Sequence, residues 1–201
     1  MAPLLPQLYL ASASPRRKQL LEAVGFTFQV ISAPVDEQHP SHRTLREGVI
    51  ENARLKALAA ANRVQDPGGI IIAADTLVVF QDRVLGKPID LQQAEEMLQL
   101  LSGNTHEVMT GVHLRRFSGE VQEFAVASKV TFRRLSQGEI SDYIQTREPY
   151  DKAGSYAVQG LGSLFIEGIE GSYSNIMGFP IEEFLKVLPK ISGVPIHQWF
   201  I

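Results

Sequence analysis

Apolar residues recur along this chain in two rhythms, and the changes from one to the other mark out its elements. Gln7 to Ala11 (QLYLA) reads as a first strand. Ser14 then stands where a helix N-cap is expected, with Pro15 at the first helical position, where a missing N–H leaves nothing unsatisfied. Leu20, Leu21 and Val24 form the apolar stripe of that helix, and Gly25 is its stop. Phe26 to Ser32 alternates as a second strand and leads to an acidic turn at Asp36 and Glu37. Thr44 to Asn62 has helical spacing, with Val49, Ala53 and Ala57 on one face.

Ile70 to Phe80 (IIIAADTLVVF) is a continuous apolar run, the pattern of a strand buried on both faces. Gln81-Asp82 reads as a turn and Val84-Leu85 as a short return strand, followed by a loop at Gly86-Lys87-Pro88. Asp90 caps a helix through Leu101, with Gln93 at the capping-box position and Gly103 closing it. His106 to Arg116 and Glu123 to Arg134 alternate as two antiparallel strands joined near Ser118-Gly119. Ser136 and Glu139 form a second capping box, which opens a helix to about Arg147. Glu148 to Phe179 is rich in glycine and turn residues, and Pro180 begins a last helix to about Lys190. Strands and helices intermix, so the pattern predicts an α/β chain with a mixed sheet.

Composition narrows the classes. At 201 residues the chain has the length of one large domain or of two lobes sharing a sheet. A net charge of −3 argues against a dedicated nucleic-acid binder, which needs a broad basic face. There is no cysteine, which excludes disulfides, thiolate metal sites and a cysteine nucleophile. The apolar runs fall short of a membrane span, and the start MAPLLPQLYLASASPRR lacks the basic-then-apolar order of a signal peptide. The expectation is a cytoplasmic protein with no membrane partner.

Certain residues stand out against this pattern. Ser12-Ala-Ser-Pro-Arg-Arg17 sets a tight turn, a helix start and two guanidinium groups at one point, the ingredients of an anion site. Basic residues in a first helical turn oppose the dipole, so Arg16 and Arg17 either meet an anion or lie solvated on a surface helix. Asp75 lies within the most apolar strand of the chain, where burying its charge is costly unless it is paired or metal-bound. Either it is a functional carboxylate, or it is satisfied by backbone N–H groups or a partner lysine. Thr76, next to it, faces the opposite side of a regular strand. Lys56, Lys87 and Lys152 are ordinary surface charges taken singly, although the stiff loops around Lys87 and Lys152 are suited to holding an ammonium against phosphate oxygens. Glu37 offers a second carboxylate, and Gln159 an amide that donates and accepts at once. His106 reads as structural, because no second histidine has ligand spacing, and Gly171 to Asn175 reads equally as a connecting or a ligand loop.

Taken together, SASPRR (12–17), VDE (35–37), ENARLKA (51–57), AADT (73–76), LGKP (85–88), GNTHEVMTGV (103–112), EPYDKAGSYAVQG (148–160) and GSYSNIMGFP (171–180) closely resemble the Maf family of nucleotide pyrophosphatases. The resemblance spans nearly the whole chain, read as a single domain over 1–201. It implies an α/β fold with an elongated mixed sheet, flanking helices and a cleft between two lobes, related to inosine-triphosphate pyrophosphatases. It also implies hydrolysis of a nucleoside triphosphate between its α- and β-phosphates, with magnesium or manganese, and a homodimer. The residues themselves add candidates, Glu37 as a second metal ligand and Ser14, Arg17, Lys56, Lys87 and Lys152 as phosphate-binding groups. By motif, Asp75 is the general base or metal-associated carboxylate. Arg16, Thr76 and Gln159 set nucleotide preference, and the YAVQG sequence points to the branch acting on dTTP and UTP, in a house-cleaning role against non-canonical nucleotides. The rival readings are a pyrophosphatase for 7-methyl-GTP or another modified nucleotide, and a non-catalytic nucleotide-binding regulator of division.

Overall fold

A computed structural model describes residues 5–32, 35, 44–64 and 66–200. Its strands are β1 (Leu8–Ala11), β2 (Gln29–Val30), β3 (Ile70–Phe80), β4 (Arg83–Leu85), β5 (Thr105–Arg116), β6 (Val121–Phe132) and β7 (Ile166–Glu170). The helices are α1 (Pro15–Ala23), α2 (Leu45–Ala61), α3 (Leu91–Leu101), α4 (Gln137–Ile144), α5 (Tyr173–Ile176) and α6 (Ile181–Ser192), with short 3-10 turns between them. The strands form one mixed sheet ordered β2-β1-β3-β5-β6-β7, with β4 folded back on β3. β1 runs parallel to β2 and β3, whereas the pairs β3–β4 and β6–β7 are antiparallel. The mixed α/β architecture expected from the pattern is therefore present.

The local signals explain most boundaries. Thr44 and Ser136 each close a full capping box, with Glu47 and Glu139 respectively. Asp90 accepts from the Gln93 N–H, but the Gln93 side chain reaches Ile89 N–H instead of the cap residue. Gln81 and Asp82 both take positive φ (49° and 64°), the twist that a two-residue hairpin between β3 and β4 requires. Three expectations shift. The second strand shrinks to Gln29–Val30, because Phe26 and Phe28 leave the edge to pack into the core. Helix α4 stops at Ile144, where the Thr146 hydroxyl and N–H both take the Tyr143 carbonyl and Pro149 follows. β7 is a strand that the pattern does not reveal, five residues long with a glycine in the middle and an exposed face.

The contacts divide the chain into two compact units. The first comprises Met1–Asp75, Thr110–Val126 and Gly178–Ile201. On one face of its sheet Leu8, Leu10, Ile70, Ile72 and Ala74 pack against Leu21 of α1 and Phe184 and Leu188 of α6. On the other face Tyr9, Ala11, Ile71 and Ala73 pack against Ala57 and Ala60 of α2. The alternation places residue 75 on the α2 side. The buried side of α2 is mostly small, with Gly48, Ala53, Ala57 and Ala60 beside Val49 and Asn52, and Gly111 of β5 meets it with no side chain at all. A Cβ on Gly111 would lie 2.5 Å from the Val49 carbonyl carbon.

The second unit comprises Thr76–Met109 and Ala127–Met177. Its core joins Val78 and Phe80 of β3 to Leu98 and Leu101 of α3, Ile140 and Tyr143 of α4, and Phe132, Tyr156 and Phe165. His106 belongs to this core, its ring edge-on to Phe132 and Tyr156, and its Nε2 shares a 2.7 Å hydrogen bond with the Tyr156 hydroxyl. Burial lowers the His106 imidazole to about 4.

Two outcomes follow. Gly111→Ala should destabilise the protein by about 2–3 kcal/mol in urea unfolding, because its methyl group meets helix backbone that cannot yield. The neutral His106 ring binds a proton more readily once unfolded, so stability is retained above about pH 6.5 and is lost as pH falls to about 4, by roughly 3 kcal/mol in all. Chemical denaturation between pH 7 and 4 should show that slope, and His106→Asn should flatten it.

Candidate active site

In the first unit the segment after β1 folds back on itself through Ser12. The Ser12 hydroxyl oxygen accepts from the Ser14 N–H (3.2 Å) and from an Arg17 guanidinium nitrogen (3.1 Å). Arg17 Nε donates in turn to the Gly178 carbonyl (2.8 Å), tying the turn to the segment before α6. Ser14 occupies the N-cap position with extended dihedrals, as expected, but its hydroxyl does not cap the helix. Arg16 is half-buried at the first turn of α1, which carries no acidic residue there.

Asp75 is only 4 % exposed, and its carboxylate is held from one helix. Lys56 Nζ donates to Oδ1 (2.7 Å), and Asn52 Nδ2 donates to Oδ2 (3.0 Å). Asn52 and Lys56 are four apart on α2, so the two side chains stack on the face turned to the sheet. The partner-lysine alternative for a buried aspartate describes this contact, and the partner is itself one of the expected phosphate-binding residues. Asn52 does not stand out in the sequence, where an asparagine in a helix draws no notice. Its signal was the spacing to Lys56 on the face shared with Val49 and Ala53.

The second unit holds Thr76, Lys87, Lys152 and Gln159. Thr76 is half-buried beside Asp75 in β3, and Lys87 is exposed in the loop after β4. Gly154 N–H donates to the Gly86 carbonyl (3.0 Å), joining the Lys87 loop to the loop that carries Lys152. Lys152 Nζ pairs with the Asp151 carboxylate and donates to the Glu148 carbonyl (3.3 Å). Gln159 is exposed at the head of the 3-10 turn Gly160–Phe165. The Gly171–Asn175 cluster is an internal tie. Asn175 is fully buried, and its amide donates to the Val108 carbonyl and the Ser128 hydroxyl, both at 2.9 Å. Glu37, the second metal-facing candidate, lies outside the described residues. Among the described residues no three histidine, aspartate or glutamate side chains gather as a metal site, and no helix is long and apolar enough to cross a membrane.

The family model described as Maf-like protein matches residues 7–191, nearly the entire chain. The chain belongs to the Maf family. A dTTP/UTP pyrophosphatase of Halalkalibacterium halodurans is 44 % identical over 186 residues, covering 92 % of this chain and 96 % of that one. A protein of the same name from Bacillus cytotoxicus is 42 % identical over 193 residues, covering 96 % of this chain and all of its own length (100 %). Among solved structures, the Ham1 protein of Staphylococcus aureus is similar over 80 % of this chain and 79 % of its own, at 16 % identity and a TM-score of 0.45.

For this Maf chain, the Asp75 arrangement makes a stability prediction. Lys56→Met leaves the carboxylate buried without its cation and should cost about 3 kcal/mol or more. Asp75→Asn introduced into that variant should recover much of the loss. A double-mutant cycle by urea unfolding measures the coupling directly.

Proposed function

We propose that this chain hydrolyses dTTP and UTP to the nucleoside monophosphate and pyrophosphate. The observation that carries the reading is identity of 42–44 % to proteins named dTTP/UTP pyrophosphatase, over more than nine-tenths of this chain. A buried, oriented carboxylate with an ammonium beside it supports the chemistry. In this reading Asp75 is the carboxylate that accepts a proton from the attacking water as the bond between the α- and β-phosphates breaks and pyrophosphate leaves. Lys56 and Asn52 hold each carboxylate oxygen in one orientation, and phosphoryl transfer depends chiefly on such positioning and on charge stabilisation.

The remaining roles combine the chemistry of the residues themselves with the family motifs. Arg17 and Ser14, at a helix start that favours negative charge, are phosphate-binding residues in this proposal, as are Lys56, Lys87 and Lys152. Arg16, Thr76 and Gln159 are the residues that select the base. Asp75 also fits a magnesium or manganese ion. A carboxylate has lone pairs beyond the two that Lys56 and Asn52 engage, and magnesium needs only one or two carboxylates when substrate phosphates complete its shell. When bound, such an ion neutralises phosphate charge and acidifies water. Glu37 is a second ligand in the same proposal. A homodimer and a house-cleaning role rest on the family resemblance; a cytoplasmic location is the default for a chain whose apolar runs fall short of a membrane span.

The test is pyrophosphate release from dTTP, UTP, CTP and 7-methyl-GTP with magnesium or manganese. Turnover should favour dTTP and UTP, disappear with a chelator and return with the ion. A clear preference for 7-methyl-GTP, or binding without turnover, overturns the assignment. Asp75→Asn should lower the rate on the order of 10²-fold or more while circular dichroism shows an intact fold. Near-normal turnover in that variant would remove Asp75 from the chemistry.

A further inference from the structure

Glu148 grips two loops at once, one with its side chain and one with its backbone. A helical turn begins with N–H groups that have no partner within it, and the turn Gly160–Phe165 presents two of them to this residue. Leu161 N–H donates to Glu148 Oε2 (3.0 Å) and Gly162 N–H to Oε1 (2.8 Å). The Tyr143 hydroxyl donates to the same Oε1 (2.9 Å). Burial, reinforced by the hydrogen bond to Glu148, pushes that phenol far above its usual range, so it stays a donor at neutral pH. Gly160 has φ +78°, and a Cβ there would come within 2.5 Å of Oε2. The carboxylate thus reaches into space that only glycine leaves open. On its other side, the Glu148 carbonyl accepts from Lys152 Nζ (3.3 Å).

Gln159 is the residue immediately before this clamped turn and has no side-chain cap bond of its own. An exposed amide distinguishes bases by which of its ends, donor or acceptor, faces the base edge. That direction is inherited from the backbone at 159 and 160, which runs directly into the Leu161 and Gly162 N–H groups that Glu148 holds. We infer that Glu148 is a positioning residue for base selection, holding Gln159 in its reading orientation while its carbonyl steadies Lys152. The inference rests on the assignment of Gln159 to base selection made above. Three charge-assisted donors on one carboxylate make a stiff anchor, and loss of that anchor misplaces the amide without touching Asp75.

The experiment compares the full-length wild type with Glu148→Ala, Glu148→Gln and Tyr143→Phe. It reads kcat and KM for dTTP, UTP and CTP, and calorimetric affinities for UTP and CTP. Glu148→Ala should raise KM for dTTP and UTP about tenfold, leave kcat within about threefold, and reduce the preference for UTP over CTP about tenfold. Glu148→Gln keeps one acceptor and should fall between it and wild type, with Tyr143→Phe milder still. Unchanged preference, or an equal loss on all three nucleotides, indicates a merely structural role and overturns the inference. If Glu148→Ala does not fold, the other two variants decide on the same criteria. If the wild type hydrolyses neither dTTP nor UTP, the activity reading fails by itself and the binding data judge Glu148. A wild type without UTP preference, or a preference that Glu148→Gln leaves intact, then overturns it.

Discussion

A carboxylate in the middle of an apolar strand can be ionised only if charge and hydrogen bonds are brought to it. In this chain they come from a single helix, Lys56 to one oxygen of Asp75 and Asn52 to the other. That requirement fixes more than one pair of contacts. It demands that residue 75 fall on the α2 side of the strand, that α2 present two polar groups four residues apart, and that the helix lie close enough for an amide as short as that of Asn52 to reach. The apolar packing on either side of β3 then serves as the scaffold that holds these three conditions together.

The closeness is met by removing side chains. Gly111 has no Cβ where the Val49 and Ile50 backbone passes, and the buried face of α2 is mainly glycine and alanine. Small residues bury little area each, but they let the helix backbone approach the sheet, and proximity is what the polar pair needs. The same economy operates at the first turn. There the single hydroxyl of Ser12 accepts from both the turn backbone and Arg17, and Arg17 reaches a carbonyl 161 residues away in sequence.

The second unit solves a different problem. Between α4 and α6 the chain has no long element, so its backbone groups must be satisfied largely by side chains and turns. Glu148 takes two N–H groups and a phenol, while Asn175, Ser128 and Ser172 bind one another across β5, β6 and α5. Irregular segments held in this way are suited to presenting side chains such as Lys152 and Gln159, because the anchor is polar and directional and does not depend on a packed apolar face.

Periodicity and caps made most of the architecture legible in advance. The span of β3, the capping box at Ser136 and the hairpin turn at Gln81-Asp82 are local, written in residues close together in the chain. The oddity of Asp75 was equally plain, because one charge among isoleucines and valines needs no structure to be noticed. What remained hidden depends on which residues meet. β7 is too short and glycine-interrupted to show a pattern, and it exists because β6 offers it a ladder. Asn52 and Glu148 look like ordinary polar residues until folding brings them to Asp75 and to the Gly160 turn. The sequence by itself determined the elements and singled out the buried charge, because propensity and alternation act over a few residues. Only the tertiary structure decided its partners, because the free energy of a buried charge is set by groups that meet it from distant parts of the chain.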